Sequence, residues 1–176
     1  KKNIEVDRPL TLDDLEKLVK GDVMKPTIET RKAMRVFGIA KTYEQHNFQG
    51  SYRQWGEFMN RLTAIEGRDM EILFGLALNS HPDVIKSEKD KYIYMTAVEV
   101  STDDKLPSGM IALNIPAQAY AKFVHRGHVV DYLATYRKIW NSWIPESKIE
   151  IAEGPEIEVY DERFKLESAD SEFDLL

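Results

Sequence analysis

Glu158 and Tyr160 stand two residues apart in the run GPEIEVYDERF, Gly154–Phe164. The run has strand character, and period-2 alternation sends Glu158 and Tyr160 to one face and Ile157 and Val159 to the other. A carboxylate beside an aromatic ring inside a strand is expensive to bury without a partner. A cavity that admits a cationic or hydrogen-bonding ligand supplies that partner. The competing reading is a surface-strand glutamate paired with a lysine or arginine. In a pocket, burial raises the pKa of such a group and nearby positive charge lowers it.

Aromatic side chains are the second resource, with 3 Trp, 8 Tyr and 7 Phe in the chain. Trp55, Phe74, Tyr92, Tyr94, Phe123, Trp140, Trp143 and Tyr160 are candidates for the wall of a groove. Planar walls suit flat, lipophilic or cationic ligands through stacking and cation–π contact, the latter about 0.5–2 kcal/mol each. Plain core packing is the alternative for each. Trp140 and Trp143 share one helix stripe, so at most one of them is expected in a pocket. Glu99 shares a strand face with Ile93, Met95 and Ala97, an unusual place for a carboxylate. It either faces the groove or pairs locally near the strand end. His46, His81, His125 and His128 show no metal-ligand spacing, and no metal or cofactor is expected. His125–Gly127 reads as a strand end running into a turn. No phosphate-binding loop, nucleophile elbow or metalloprotease motif occurs.

The elements that position these residues follow from periodicity. Thr11 and Asp14 open a first helix with Leu12, Leu15, Leu18 and Val19 on one stripe, and Gly21 stops it. Pro26 marks a boundary. Thr27–Thr42 reads as a strand. A helix from about Tyr52 to Ala64 carries Trp55, Phe58, Met59 and Leu62 at helical spacing. Met70–Leu78 and Tyr92–Val100 read as strands flanking a polar loop at His81–Pro82. Gly109–Ile115 and Ala119–His125 are strands broken at Pro116. A helix from about Val130 to Trp143 carries Val129, Leu133, Tyr136, Trp140 and Trp143, with Pro145 as its stop. Ile157–Asp161 and Glu172–Leu176 close the chain. A strand–helix–strand–strand order therefore occurs twice, and the class is α+β.

The totals narrow the function. The chain has 176 residues, enough for one domain with a short extension. Cysteine is absent, so thiol chemistry and disulfides are excluded. With Lys+Arg 24 against Asp+Glu 30, the net charge of −6 opposes direct binding to nucleic acid. No apolar run approaches the roughly 20 residues of a membrane span. The first residues lack a secretory leader's apolar core, and a cytoplasmic location is expected.

Four segments carry a family resemblance: Gly154–Phe164, YIYMTAVEV (Tyr92–Val100), GMIALNIPAQAYAKFVHRG (Gly109–Gly127) and TYRKIWNSWIPES (Thr135–Ser147). Together, from about Ala33 to the C-terminus, the chain resembles the GyrI-like domains, the effector-binding domains of AraC- and MerR-type bacterial regulators. The resemblance implies duplicated halves paired about a pseudo-twofold axis. Their strands would form one antiparallel sheet with two helices on one side and a ligand groove between the halves. Glu158 matches the family's pocket glutamate. Residues 1–25 are then a helical extension and residues 26–176 the effector-binding domain. The expected ligand site comprises Glu158, Tyr160, Trp55, Phe74, Tyr94, Glu99, Phe123, Trp140 and Trp143.

The expected function is a stand-alone domain that binds amphipathic, often cationic or planar compounds, for sequestration or for sensing. Its partners would be the ligand and, through residues 1–25, a regulator or a second copy. Two alternatives stem from the same resemblance. One is a hydrolase for strained electrophiles such as cyclopropanoids, with Glu158 as general base and Tyr160 polarising the substrate. The other is a gyrase-inhibitor-like interaction role, for which the charge is mild and dispersed.

Overall fold

Alternating apolar and polar residues build eight strands in two units of the same plan. The computed structural model describes residues 25–44, 48–68, 71–78, 91–101 and 105–176. The expected helix at Thr11–Val19 and the loop at His81–Pro82 lie outside the described residues. The first unit holds β1 (Thr27–Arg31), β2 (Met34–Glu44), α1 (Phe48–Arg61), β3 (Leu73–Ala77) and β4 (Lys91–Val100). The second holds β5 (Ile111–Ile115), β6 (Gln118–Arg126), a segmented helix, β7 (Glu156–Tyr160) and β8 (Glu172–Leu175). The expected single strand Thr27–Thr42 is in fact two. Its first piece pairs with β6 and its second with β4 and β5.

All strand pairs are antiparallel, and the order across the single curled sheet is β1-β6-β8-β7-β3-β4-β2-β5. Exchange each strand with its counterpart in the other unit, β1 with β5, β2 with β6, β3 with β7 and β4 with β8. The order then reads the same backwards. The pseudo-twofold axis runs through the β3–β7 seam, where Gly75 opposes Glu158 at the middle of the register.

Register also sorts the side chains into two faces. Val36, Phe74, Leu76, Met95, Ala97, Ile157 and Val159 form a core on one of them. The opposite face carries both helices. Phe58 of α1 and Leu62 of the 3-10 turn that follows it pack on Phe37, Ile39 and Val98. Ile139, Tyr132 and Trp143 of the second helix pack around Phe123, Phe173 and Leu175. Met59, expected on the α1 stripe, is exposed.

The second helix is α2 (Tyr132–Lys138), a π-helical stretch Ile139–Trp143, and α3 (Ile144–Ser147). Pro145 does not stop it. A proline lacks the amide hydrogen of an α ladder, but it is tolerated in a first helical turn. The wide π turn ahead of it makes residues 144–147 a new first turn. The helix ends instead at Lys148, in the left-handed conformation with φ 57°.

Gln54 fixes α1 to the sheet. It is fully buried, and its Nε2 donates to the carbonyls of Ile39 at 2.6 Å and Tyr94 at 3.1 Å. Its Oε1 accepts from the Tyr43 hydroxyl at 2.7 Å. Replacing it with an apolar side chain takes a donor from two carbonyls, each loss costing about 1–3 kcal/mol when buried, while the Tyr43 hydroxyl keeps the Gly50 carbonyl at 3.0 Å. Gln54→Leu is therefore expected to lower stability by about 2–3 kcal/mol. Urea unfolding would measure it, and a loss below about 0.5 kcal/mol would contradict this role.

Candidate functional site

The helix-bearing face of β7 presents Glu156, Glu158 and Tyr160 in a row, because strand side chains alternate with period 2. Glu158 sits at the seam between the two units. Its Oε2 accepts the Tyr94 hydroxyl at 2.5 Å and the Tyr160 hydroxyl at 2.9 Å. Tyr132 of α2 supplies a further hydroxyl donor. Tyr94 is itself held by the Trp55 indole, whose Nε1–H donates to its oxygen at 3.2 Å. Three strands or helices from both units thus converge on one carboxylate.

Room for this cluster comes from Gly75 on the neighbouring strand. A Cβ there would overlap Glu158 Oε2 and Tyr94 Oη, so any larger residue displaces the hydrogen bond at the centre of the site. The next residue on that face of β3 is Ala77, which opposes Glu156. Small residues on β3 therefore stand opposite both carboxyl groups.

The walls are aromatic. Trp55 meets Tyr160 edge-on at 5.2 Å between ring centroids, and Tyr160 also contacts Phe164 at 4.7 Å and Phe173 at 4.9 Å. Tyr132, Tyr136 and Trp140 form a ladder along the second helix, at 5.8 and 6.1 Å. A depression of about 600 Å³ shares the Tyr160 ring as a wall and is lined also by Glu71, Leu73, Asp161, Glu162 and Phe164.

His125 locates the second helix. It is buried on β6, with Nδ1 2.8 Å from Thr135 Oγ1 and Nε2 3.1 Å from the His128 carbonyl. A carbonyl only accepts, so Nε2 carries the proton and Nδ1 accepts from the threonine. This clamp sets the turn that carries Tyr132 and Tyr136. No cluster of three metal-ligating side chains occurs among the described residues.

The expected site residues divide. Glu158, Tyr160, Tyr94 and Trp55 form one hydrogen-bonded and stacked group. Trp140 reaches Glu156 rather than Glu158. Trp143 packs edge-on against Phe123 at 5.0 Å, and both belong to the core under the second helix. Phe74 and Glu99 are corrected. Phe74 is buried in the core of the opposite face, registered against Ala97 and Val159. Glu99 opposes Val36, whose side chain belongs to that same core. Period 2 from Glu158 through its neighbours already separates both from the cleft. Three residues escaped the sequence reading: Glu156, Tyr132 and Tyr136. The same period 2 would have found Glu156. The two tyrosines needed the helix orientation.

Electrostatics follow from burial. The Glu158 carboxyl is raised above its ordinary pKa by desolvation, against the opposing pull of its three tyrosine donors. Glu156 is pushed up to about 7, first by burial and then by the Glu158 charge, with Tyr136 and Trp140 donors acting the other way. Tyr94, Tyr132 and Tyr160 are raised, chiefly by burial and then by Glu158, so they remain protonated donors. Neither carboxylate forms an ion pair with a lysine or arginine among the described residues.

A raised folded-state pKa means that the native protein holds the proton more tightly than the unfolded chain. The associated stability is complete below the ordinary value of 4.5 and is lost as pH rises through about 7. Asp161, lowered by Arg163, acts in the opposite sense but at more acidic pH. Stability is therefore expected to fall between pH 5 and 8, and Glu156→Gln to remove about 2–3 kcal/mol of that fall. Denaturant melts across this range test it. An unchanged slope in the variant would show that Glu156 ionises freely in the native state.

Known proteins share this architecture. The chain is 28% identical over 112 residues to the transcriptional regulator BrlR of Pseudomonas aeruginosa, covering 63% of this chain and 39% of that protein. It thus spans well under half of that relative's length. Among solved structures, SAV2435 bound to tetraphenylphosphonium superposes with TM-score 0.62 at 17% identity, over 86% of this chain and 92% of that one. EcmrR in a DNA complex gives TM-score 0.66 at 15% identity, over 92% of this chain and 59% of that one. At such identities these likenesses establish the fold. The model of the GyrI-like small molecule binding domain matches residues 24–175, and the chain belongs to that family.

Proposed function

We propose that the cleft captures lipophilic organic cations, with Glu158 as the charge anchor and Trp55, Tyr94 and Tyr160 as its immediate walls. One observation carries this reading. Glu158 lies among aromatic side chains at the seam of the two units, with its carboxyl held by neutral hydroxyl donors instead of a cationic side chain among the described residues. Such a carboxylate has no internal counter-charge among the described residues, so an incoming cation would meet its full attraction. Flat or propeller-shaped aromatic cations would add stacking and cation–π contact with the walls. SAV2435, similar in fold, is known with tetraphenylphosphonium bound, which supports this ligand class. The regulators BrlR and EcmrR support a sensing role, in which residues 1–25 are the segment available to join a partner or second copy.

The hydrolytic alternative asks Glu158 to draw a proton from water. Its Oε2 already accepts two phenolic hydroxyls, which occupy the lone pairs that a water would need on that oxygen. The geometry therefore favours anchoring over proton abstraction.

Tetraphenylphosphonium or a planar cationic dye is expected to bind more tightly than a neutral analogue of the same shape. Glu158→Gln should narrow the difference by about 1–3 kcal/mol, the range for hydrogen bonds and contacts to a charged group. Cation affinity should rise with pH as the cleft carboxyls lose their protons, with proton release visible by calorimetry in buffers of different ionisation enthalpy. Equal affinity for charged and neutral ligands in the unmutated protein would refute the electrostatic anchor. Consumption of more than one equivalent of a cyclopropane-bearing electrophile, abolished in Glu158→Gln, would restore the hydrolase reading.

A further inference from the structure

Glu156 lies on the same strand face as Glu158 but is served by a separate set of donors. Tyr94, Tyr132 and Tyr160 surround Glu158, whereas Tyr136 and Trp140 of the second helix reach Glu156. The two glutamates project from one face of β7, where Glu158 is registered against Gly75 of β3 and Glu156 against Ala77, both small residues. Residues i and i+2 of a strand are roughly 7 Å apart. Tyr136 and Trp140 neighbour one another along the second helix at 6.1 Å between ring centroids, and Trp55 and Tyr160 meet at 5.2 Å. Each carboxyl group thus has its own donors, all of them aromatic side chains.

Two carboxylates so close repel one another, and no lysine or arginine among the described residues offsets that repulsion. A single cation on Glu158 satisfies one of them and leaves the other to be protonated or unpaired. A ligand with two positive centres at the carboxylate spacing satisfies both at once.

We propose that Glu156 is a second charge anchor and that the cleft selects dications whose positive centres lie roughly 7 Å apart, such as bis-quaternary ammonium compounds with a five-carbon spacer. The proposal rests on the cation-capture reading above. It adds to that reading a ligand valence and a spacing.

The test compares three probes by isothermal titration calorimetry at pH 8. One has two benzyldimethylammonium heads on a pentane spacer. The second is benzyldimethylpentylammonium, which keeps one head and the same chain. The third has both heads on a decane spacer. The pentane-spaced dication is expected to bind about tenfold or more tightly than the monocation, and more tightly than the decane-spaced dication. In Glu156→Gln the dication-to-monocation ratio should fall to about twofold, the statistical advantage of two heads. Glu156→Ala should give the same fall, and thermal melts establish that both variants are folded. A ratio near twofold in the unmutated protein, or one that Glu156→Gln does not reduce, overturns the second anchor while leaving cation capture by Glu158 intact. If none of the three cations binds, cation capture itself fails and the second anchor with it.

Discussion

A half-buried carboxylate at the centre of a sheet sets the terms for everything around it. Glu158 cannot be placed at the β3–β7 seam without donors, and the seam cannot accept the donors without space. The protein supplies donors from three elements and supplies space by omitting a side chain at Gly75. Tyr94 is buried to serve this purpose, and its hydroxyl is in turn bound by Trp55 from α1. The hydrogen bonds therefore run from a helix of the first unit, through a strand, to the carboxylate of the second. Polar networks in a low-dielectric setting are costly when incomplete and rigid when complete. The network ties the two units together at the point where they meet.

The duplicated architecture explains why a cleft forms there at all. Each helix covers its own half of the sheet, α1 over β2 and β4, the second over β6 and β8. The strands on the pseudo-twofold axis, β3 and β7, lie between the two helices and are left with their side chains facing an opening. The units are not equivalent in detail. Gln54 fastens α1 directly to strand carbonyls. The second helix is positioned through the His125 clamp and changes pitch at Ile139–Trp143. That change lets Tyr132, Tyr136 and Trp140 stack along the cleft while Ile139 and Trp143 turn into the core. The first unit gives a fixed wall, and the second gives most of the polar donors.

The cleft is acidic yet holds its protons firmly. Burial favours the neutral form of both carboxyls, mutual repulsion adds to this at Glu156, and the tyrosine donors oppose it at Glu158. A positively charged guest of the proposed kind would exchange with protons instead of displacing an internal ion pair. Stability, ionisation and ligand charge are therefore linked through the same two side chains.

Much of this was legible in the chain. Period 2 in EIEVY placed Glu158 and Tyr160 on one face, and the element order gave two repeats of one plan. Those features depend on local geometry, which a strand or helix imposes whatever surrounds it. The same alternation would have added Glu156 and set aside Phe74, whose face it already shared with Leu76. Other features depend on contacts distant in sequence. Gly75 becomes a requirement only when β3 lies beside β7, some eighty residues on. Thr27–Thr42 reads as one strand, but its two pieces pair with opposite ends of the sheet, which only the closed topology decides. Pro145 is a helix stop by local rules, and the π turn ahead of it makes it a helix start. Tyr132 and Tyr136 looked like ordinary helix residues until the His125 clamp turned them toward the carboxylates. The sequence by itself determined the elements and the residue that carries the charge. Tertiary structure decided which donors reach that charge and how much room remains beside it, because both depend on pairings between segments that no local pattern encodes.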